Sequence, residues 1–108
     1  MAVILPPVLV AYLSSEATTD VESLANCFAP DAVVHDEGRT IRGLDAIKAW
    51  KQDAKAKYQY TVEPLDAVHD HATVTMRARL SGKFPGSPIE VTYRFVLVND
   101  KIALLEIR

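Results

Sequence analysis

The sequence predicts an α+β domain in which helices stand apart from a largely antiparallel sheet. Two observations carry this. The first half of the chain reads in helical periods around one short hairpin, and from Tyr60 onward the apolar pattern changes to a period of two. A third observation concerns shape: Pro64 and the Gly and Pro residues between 81 and 88 suit a bent sheet. A curved sheet wrapped around one long helix would enclose a pocket. With 108 residues and 49% apolar content, the chain suits one domain over residues 1–108 with a single packed core.

Pro7 suits a first helical turn, and Val8, Leu9, Tyr12 and Leu13 give that helix an apolar stripe. The polar stretch Ser14 to Thr19 ends or interrupts it. Thr19 and Glu22 have capping-box spacing, and Val21, Leu24, Ala25 and Phe28 follow at i, i+3, i+4 and i+7, predicting a second short helix before Pro30-Asp31. Ala32 to Asp36 reads as a strand, with a turn near Glu37-Gly38 and a return strand from Thr40 to Arg42. Gly43 opens a third helix with Ile47, Trp50, Ala54 and Tyr58 on one face, while Lys48, Lys51, Lys55 and Lys57 are expected in solvent.

Tyr60 to Val68 predicts a strand whose Pro64 marks an edge or a bulge, and a turn at His69-Asp70-His71 follows. In Thr73 to Leu80, Val74, Met76, Ala78 and Leu80 share one face. A turn-rich loop from Ser81 to Pro88 leads to a long strand, Ile89 to Val98. Asn99-Asp100 fits a two-residue hairpin turn, and Ile102 to Ile107 is the last strand.

A net charge of −2, with scattered Lys and Arg, argues against a nucleic-acid footprint. The single cysteine, Cys27, cannot form an internal disulfide and is expected to be a buried, inert thiol, which fits a reducing, cytoplasmic setting. The apolar start, Met1 to Leu13, lacks a positive n-region, is broken by Pro6-Pro7, and is too short to span a membrane. His35, Asp36, His69 and His71 do not have the spacing zinc sites show, so no metal is expected. Glycine-rich phosphate loops, nucleophile elbows and Cys-His pairings are missing from the sequence.

Asp36 carries the chemistry. In a strand, Val34 and Asp36 share a face, so a core-facing Val34 turns the carboxylate inward as well. Burial then requires a partner or a raised pKa. Such an acid caps a turn or pairs with an arginine (Arg42 or Arg77), touches a ligand, or serves as a general base. Trp50 is a core anchor, a pocket wall, or both. Tyr58 and Tyr60 flank the end of the long helix, near the mouth of the expected pocket.

The segment Phe28-Ala29-Pro30-Asp31-Ala32-Val33-Val34 is similar to the first marker of the nuclear transport factor 2-like (NTF2-like) superfamily, a short helix running into the first strand. Gly43-Leu44-Asp45-Ala46-Ile47 is similar to its second marker. Over essentially its whole length the chain resembles the small SnoaL-like branch. The resemblance implies a cone-shaped fold, with a curved mixed or antiparallel sheet around a long helix and two helices before it. That superfamily holds isomerases, cyclases, epoxide hydrolases and non-catalytic binding modules, so fold alone does not choose among them.

Resemblance to the ketosteroid isomerase branch implies Tyr12 as hydrogen-bond donor to a substrate oxyanion and Asp36 as proton carrier. The branch's third residue, a protonated aspartic acid, has no counterpart among Thr92, Tyr93 and Arg94. The acid of polyketide cyclases falls at Ile107, beside Glu106, and a one-residue offset turns a strand side chain to the other face. The expectation is a cofactor-free pocket for a small hydrophobic or carbonyl-bearing molecule, lined by Tyr12, Val34, Asp36, Trp50, Tyr58, Met76 and Tyr93. Tyr12 is otherwise a core tyrosine. The rival expectation is a non-catalytic dimeric module, because Val96 and Val98 leave the second sheet face partly apolar.

Overall fold

A computed structural model describes residues 4–16 and 22–108. Thr19 and Val21, expected in the second helix and its cap, lie outside the described residues, as do the side chains of Glu16 and Tyr58. Helix α1 (Pro7–Glu16) is followed by a 3₁₀ turn (Glu22–Asn26), strands β1 (Phe28–Asp36) and β2 (Arg39–Arg42), and helix α2 (Leu44–Tyr58). Strands β3 (Thr61–Asp70), β4 (Thr73–Ser81), β5 (Ile89–Val98) and β6 (Lys101–Ile107) complete the fold. The six strands form one open, mixed sheet in the order β2-β1-β6-β5-β4-β3, with β1 and β6 parallel and the other neighbours antiparallel.

Where a second α-helix was expected, the chain makes one tight 3₁₀ turn. Phe28, assigned to that helix's apolar stripe, instead opens β1 and pairs with Ile102 of β6. The Ile102 N–H donates to the Cys27 carbonyl at 2.8 Å, so a partner far along the chain overrides the local helical period. The turn after β3 also begins two residues later than expected. His69 and Asp70 stay in the strand, and His71, at φ 54°, takes the turn position.

Most other elements follow from local chemistry. At φ 85°, Gly43 sits just ahead of α2 and donates its N–H to Ala32 O at 2.9 Å, tying the helix start to β1. Asp45 in the first turn and Lys55 and Lys57 in the last complement the helix dipole. Gln59, left-handed at φ 46°, ends the helix by donating its N–H to Lys55 O. Pro64 lies at a register shift in β3, an edge strand, where the missing N–H costs no ladder bond.

One row of side chains crosses five strands on the inner face. Val74, Phe95, Leu105, Val34 and Ile41 are successive register partners, and all are buried against α1 and α2. Burying each contributes roughly 1.5–3 kcal/mol. Tyr12 meets Phe28 and Phe95 edge-on, with ring centroids 5.6 and 5.7 Å apart, which anchors α1 to the sheet. Val34 faces the core, so Asp36, two residues on, faces inward too.

Candidate functional site

Beyond that packed row the inner face opens into a largely apolar cavity of about 360 Å³. The sheet supplies Leu80, Val91, Tyr93 and Ile107 to its wall, and α2 supplies Trp50 and Ala54. Tyr60, just past α2, and Phe84, in the loop between β4 and β5, add two aromatic walls. Asp36, Glu37 and Arg108 bring charge to its edge. A smaller, polar groove of about 200 Å³ adjoins it and shares Asp36, Glu37 and Arg108.

Of the expected site residues, Asp36, Trp50 and Tyr93 come together around this cavity. Tyr12, Val34 and Met76 do not line it; all three are fully buried in the core. Tyr60, expected near the mouth, forms part of the wall. Phe84, Glu37 and Arg108 carried no signal in the sequence, since a loop aromatic and two charged residues are ordinary surface features. Ile107, where the resemblance to polyketide cyclases implied an acid, lines the cavity. Its neighbour Glu106 faces the other way, where Arg94 and Arg108 reach it. The hydrogen bond from Arg94 holds the Glu106 carboxyl below the usual glutamate range.

The carboxylate of Asp36 has an identified partner. Trp50 donates its indole N–H to Asp36 Oδ2 at 3.0 Å, joining the end of β1 to the middle of α2. No other hydrogen bond from a described residue reaches the Asp36 side chain. Arg77, a partner considered from the sequence, instead engages Asp66 and Glu90 on the outer side of the sheet. Its guanidinium lowers the pKa of Asp66 through their hydrogen bonds.

Lys51 departs from expectation. Instead of joining a solvated lysine face it is 3% exposed, and its ammonium donates to Tyr12 Oη and Tyr60 Oη, both at 2.9 Å. The same Nζ lies 4.9 Å from the ring centroids of both Tyr12 and Trp50 and 5.5 Å from that of Tyr60. A buried ammonium demands acceptors, and two phenol oxygens and three π faces are among its partners. Lys55 also turns toward Tyr60, standing 3.9 Å from its ring centroid and donating to its carbonyl at 3.0 Å. Lys48 pairs with Glu22, and Lys57 is exposed as expected.

The arrangement couples two devices through adjacent helix positions. Trp50 holds a carboxylate at the cavity edge, and Lys51 holds a phenol in its wall. A carboxylate bordering an apolar hollow can take and return a proton. Cys27, the lone thiol, takes no part. It is buried away from the cavity, and burial raises its pKa despite nearby Lys101.

Among the described residues no helix is long and apolar enough to cross a membrane. The family model for the SnoaL-like domain matches residues 9–104. A candidate polyketide cyclase from Sinorhizobium meliloti is 41% identical, with a TM-score of 0.93 over 96% of this chain and 95% of that one. A ketosteroid isomerase-like fold protein from Catenulispora acidiphila, solved in complex with trimethylamine, is 22% identical, with a TM-score of 0.84 over 97% and 86% of the two chains. An NTF2-like protein from Cytophaga hutchinsonii is 8% identical, with a TM-score of 0.80 over 100% and 91%. The last two likenesses are of fold alone. No curated protein sequence matches the chain significantly.

Proposed function

The chain belongs to the SnoaL-like domain family, and on that premise we propose that it binds a small, largely apolar carbonyl compound in the cavity and moves a proton on it, as isomerases and cyclases do. The observation that carries this reading is the Asp36 carboxylate at the edge of an apolar cavity, held through one oxygen by the Trp50 indole. The likeness to a candidate polyketide cyclase over nearly the whole chain supports the same class of reaction.

Asp36 takes a proton from the carbon next to the carbonyl, and the C–H electron pair moves into the carbonyl to give an enolate. In an isomerase-type reaction the protonated Asp36 returns that proton to another carbon of the same conjugated system. In a cyclase-type reaction the enolate carbon attacks a second carbonyl carbon of the same molecule, and the new alkoxide takes the proton. Both are redox-neutral, so neither calls for an electron-transfer cofactor. The apolar walls keep bulk water from competing for the enolate.

The test is α-proton exchange of small cyclic and aromatic ketones in D₂O, followed by NMR. The wild-type protein accelerates exchange of a ketone that it binds, and Asp36→Asn reduces that rate by roughly 10²-fold or more, the usual contribution of a positioned base. Exchange no faster than in buffer for every bound ketone, or an unaffected Asp36→Asn protein, would end the proposal.

A second reading keeps the cavity without the reaction, as a non-catalytic binding module that is dimeric through the outer sheet face. Val33, Leu104 and Val96 are register partners across β1, β6 and β5 on that face, all partly exposed, and Val98 nearby is 52% exposed. Sedimentation showing a monomer at high concentration would exclude that association.

A further inference from the structure

We propose that Phe84 sets the length of ligand the cavity accepts, and that the ligand is an elongated aryl ketone of at least two rings. Its carbonyl end would lie at Asp36 and its far ring against Phe84; this rests on the carbonyl-binding reading of the same cavity. The cavity has two unlike ends. At one, Asp36, Glu37 and Arg108 bring charge. At the other, Leu80, Phe84 and Ile89 present only apolar side chains.

Strand register separates these ends. His35 pairs with Glu106 and Ile107 with Tyr93, so Asp36 stands level with Tyr93. Ile89 pairs with Leu80 at the far end of the same hairpin. Between them Tyr93, Val91 and Ile89 follow at alternate positions of β5, and all three line the cavity. At about 3.3 Å per residue, the path from Tyr93 to Ile89 puts the two ends about 13 Å apart. A single-ring ketone held at Asp36 stops short of Phe84 and leaves apolar wall without contacts. A second ring in line with the first fills that space.

Local chemistry seats Phe84 at that end. Phe84-Pro85-Gly86-Ser87 is a turn closed by the Ser87 N–H, which donates to the Phe84 carbonyl at 3.3 Å. Gly86, at φ 84°, stands where a type II turn requires glycine, and Pro85 where that turn favours proline. The Ser87 hydroxyl oxygen accepts from the Gly82 N–H at 2.9 Å, tying the two sides of the loop together. The turn folds back over β5, since a Cβ built on Gly86 would lie 3.9 Å from Ile89 Cγ2. Trp50, Ala54, Val91 and Tyr93 belong to the helix and sheet that make the core, whereas half-buried Phe84 stands on a loop. Ligand choice can therefore be set at Phe84 without disturbing the scaffold that positions Asp36.

The experiment measures affinities of acetophenone, 2-acetylnaphthalene and 4-acetylbiphenyl for the wild type and Phe84→Ala by calorimetric titration, with toluene and naphthalene as probes lacking a carbonyl. The wild type binds 2-acetylnaphthalene at least about tenfold more tightly than acetophenone, because the second ring buries further apolar surface. In Phe84→Ala the 2-acetylnaphthalene affinity falls by about tenfold, as expected for losing an aromatic contact, while acetophenone stays within about twofold. The longer 4-acetylbiphenyl gains on 2-acetylnaphthalene in the variant, because truncation lengthens the cavity. Should Phe84→Ala fail to fold, Phe84→Leu carries the same test. Equal losses for the one-ring and two-ring ketones, or no loss for either, would overturn the assignment while leaving α-proton exchange of bound ketones, and so the proton-transfer reading, intact. Length discrimination that persists with toluene and naphthalene while no bound ketone exchanges would uphold the part of Phe84 and remove proton transfer alone. Failure of every probe to bind would remove both.

Discussion

The Trp50 indole N–H points at Asp36 Oδ2 from 3.0 Å, and this single bond joins the strand end that carries the acid to the helix that carries the buried lysine. It accounts for how a carboxylate borders an apolar cavity without a cationic partner among the described residues. It also makes Trp50 a positioning residue as well as a wall. Trp50→Phe keeps most of the apolar body and deletes the donor. Stability should fall by about 1.5–3 kcal/mol, the range for a hydrogen bond to a charged group, read by urea denaturation. Asp36→Asn, which keeps an acceptor oxygen, should cost clearly less in the same measurement.

Tyr12 gives a contrasting expectation. Its hydroxyl accepts from a buried ammonium and its ring packs edge-on against Phe28 and Phe95. Tyr12→Phe keeps the ring contacts and withdraws one acceptor from Lys51. The protein should lose about 1–3 kcal/mol of stability, while naphthalene affinity in the cavity stays within about twofold, a change under 0.5 kcal/mol. A large loss of ligand affinity at unchanged stability would instead place Tyr12 in direct contact with the ligand.

The inward turn of Asp36 was legible because strand alternation is a local rule, and Val34 fixed which face was the core. The bulge at Pro64 and the start of α2 at Gly43 were legible for the same reason: each rests on the backbone limits of one residue. The burial of Lys51 was not. Its acceptors stand 39 residues earlier and nine residues later in the chain, and lysines on a helix ordinarily reach solvent. The switch of Phe28 from helix to strand likewise depends on Ile102, which no local period can register. Phe84 reaches the cavity from a loop whose path depends on the whole sheet.

The hairpin between β5 and β6 offers a test of turn chemistry. Asn99 and Asp100 both adopt left-handed backbone, at φ 51° and 62°, as a two-residue turn of the mirror-image type requires. Asparagine tolerates that region, and glycine enters it without a steric cost that aspartate bears. Asp100→Gly should therefore stabilise the protein by about 0.5 kcal/mol, given that the added chain entropy offsets part of the relief. Thermal unfolding checks this, and a clear decrease in Tm would contradict it.

Glu106 predicts a pH dependence. Its folded-state pKa is lowered, first by the hydrogen bond from Arg94 and then by Arg108. A depressed carboxylate adds stability above its unfolded pKa and loses it as pH falls through the lower, folded value. Wild type should therefore exceed Glu106→Gln in stability at neutral pH, by under about 1 kcal/mol because both arginine partners are well exposed to solvent. The gap should close as pH drops below the ordinary glutamate range. Paired denaturation curves from pH 7 to pH 3 would show the convergence, and a gap that widened toward acid would contradict the assignment.

Cys27 should behave as a protected thiol. It is 1% exposed and burial raises its pKa, so the reactive thiolate is scarce in the folded protein. A chromogenic disulfide reagent at pH 7.5 should label it only as fast as the protein opens, and immediately in denaturant. Rapid labelling of the native protein would contradict the burial.

The chain has a single tryptophan, so its indole N–H gives one resolved cross-peak in a ¹⁵N-correlated NMR spectrum. Asp36→Asn should move that peak, and saturating an aromatic ketone should move it again in the wild type as the ligand fills the cavity beside Trp50. An indole signal unchanged both by Asp36→Asn and by a ligand shown to bind would separate Trp50 from the acid and the acid from the binding site, contradicting the account.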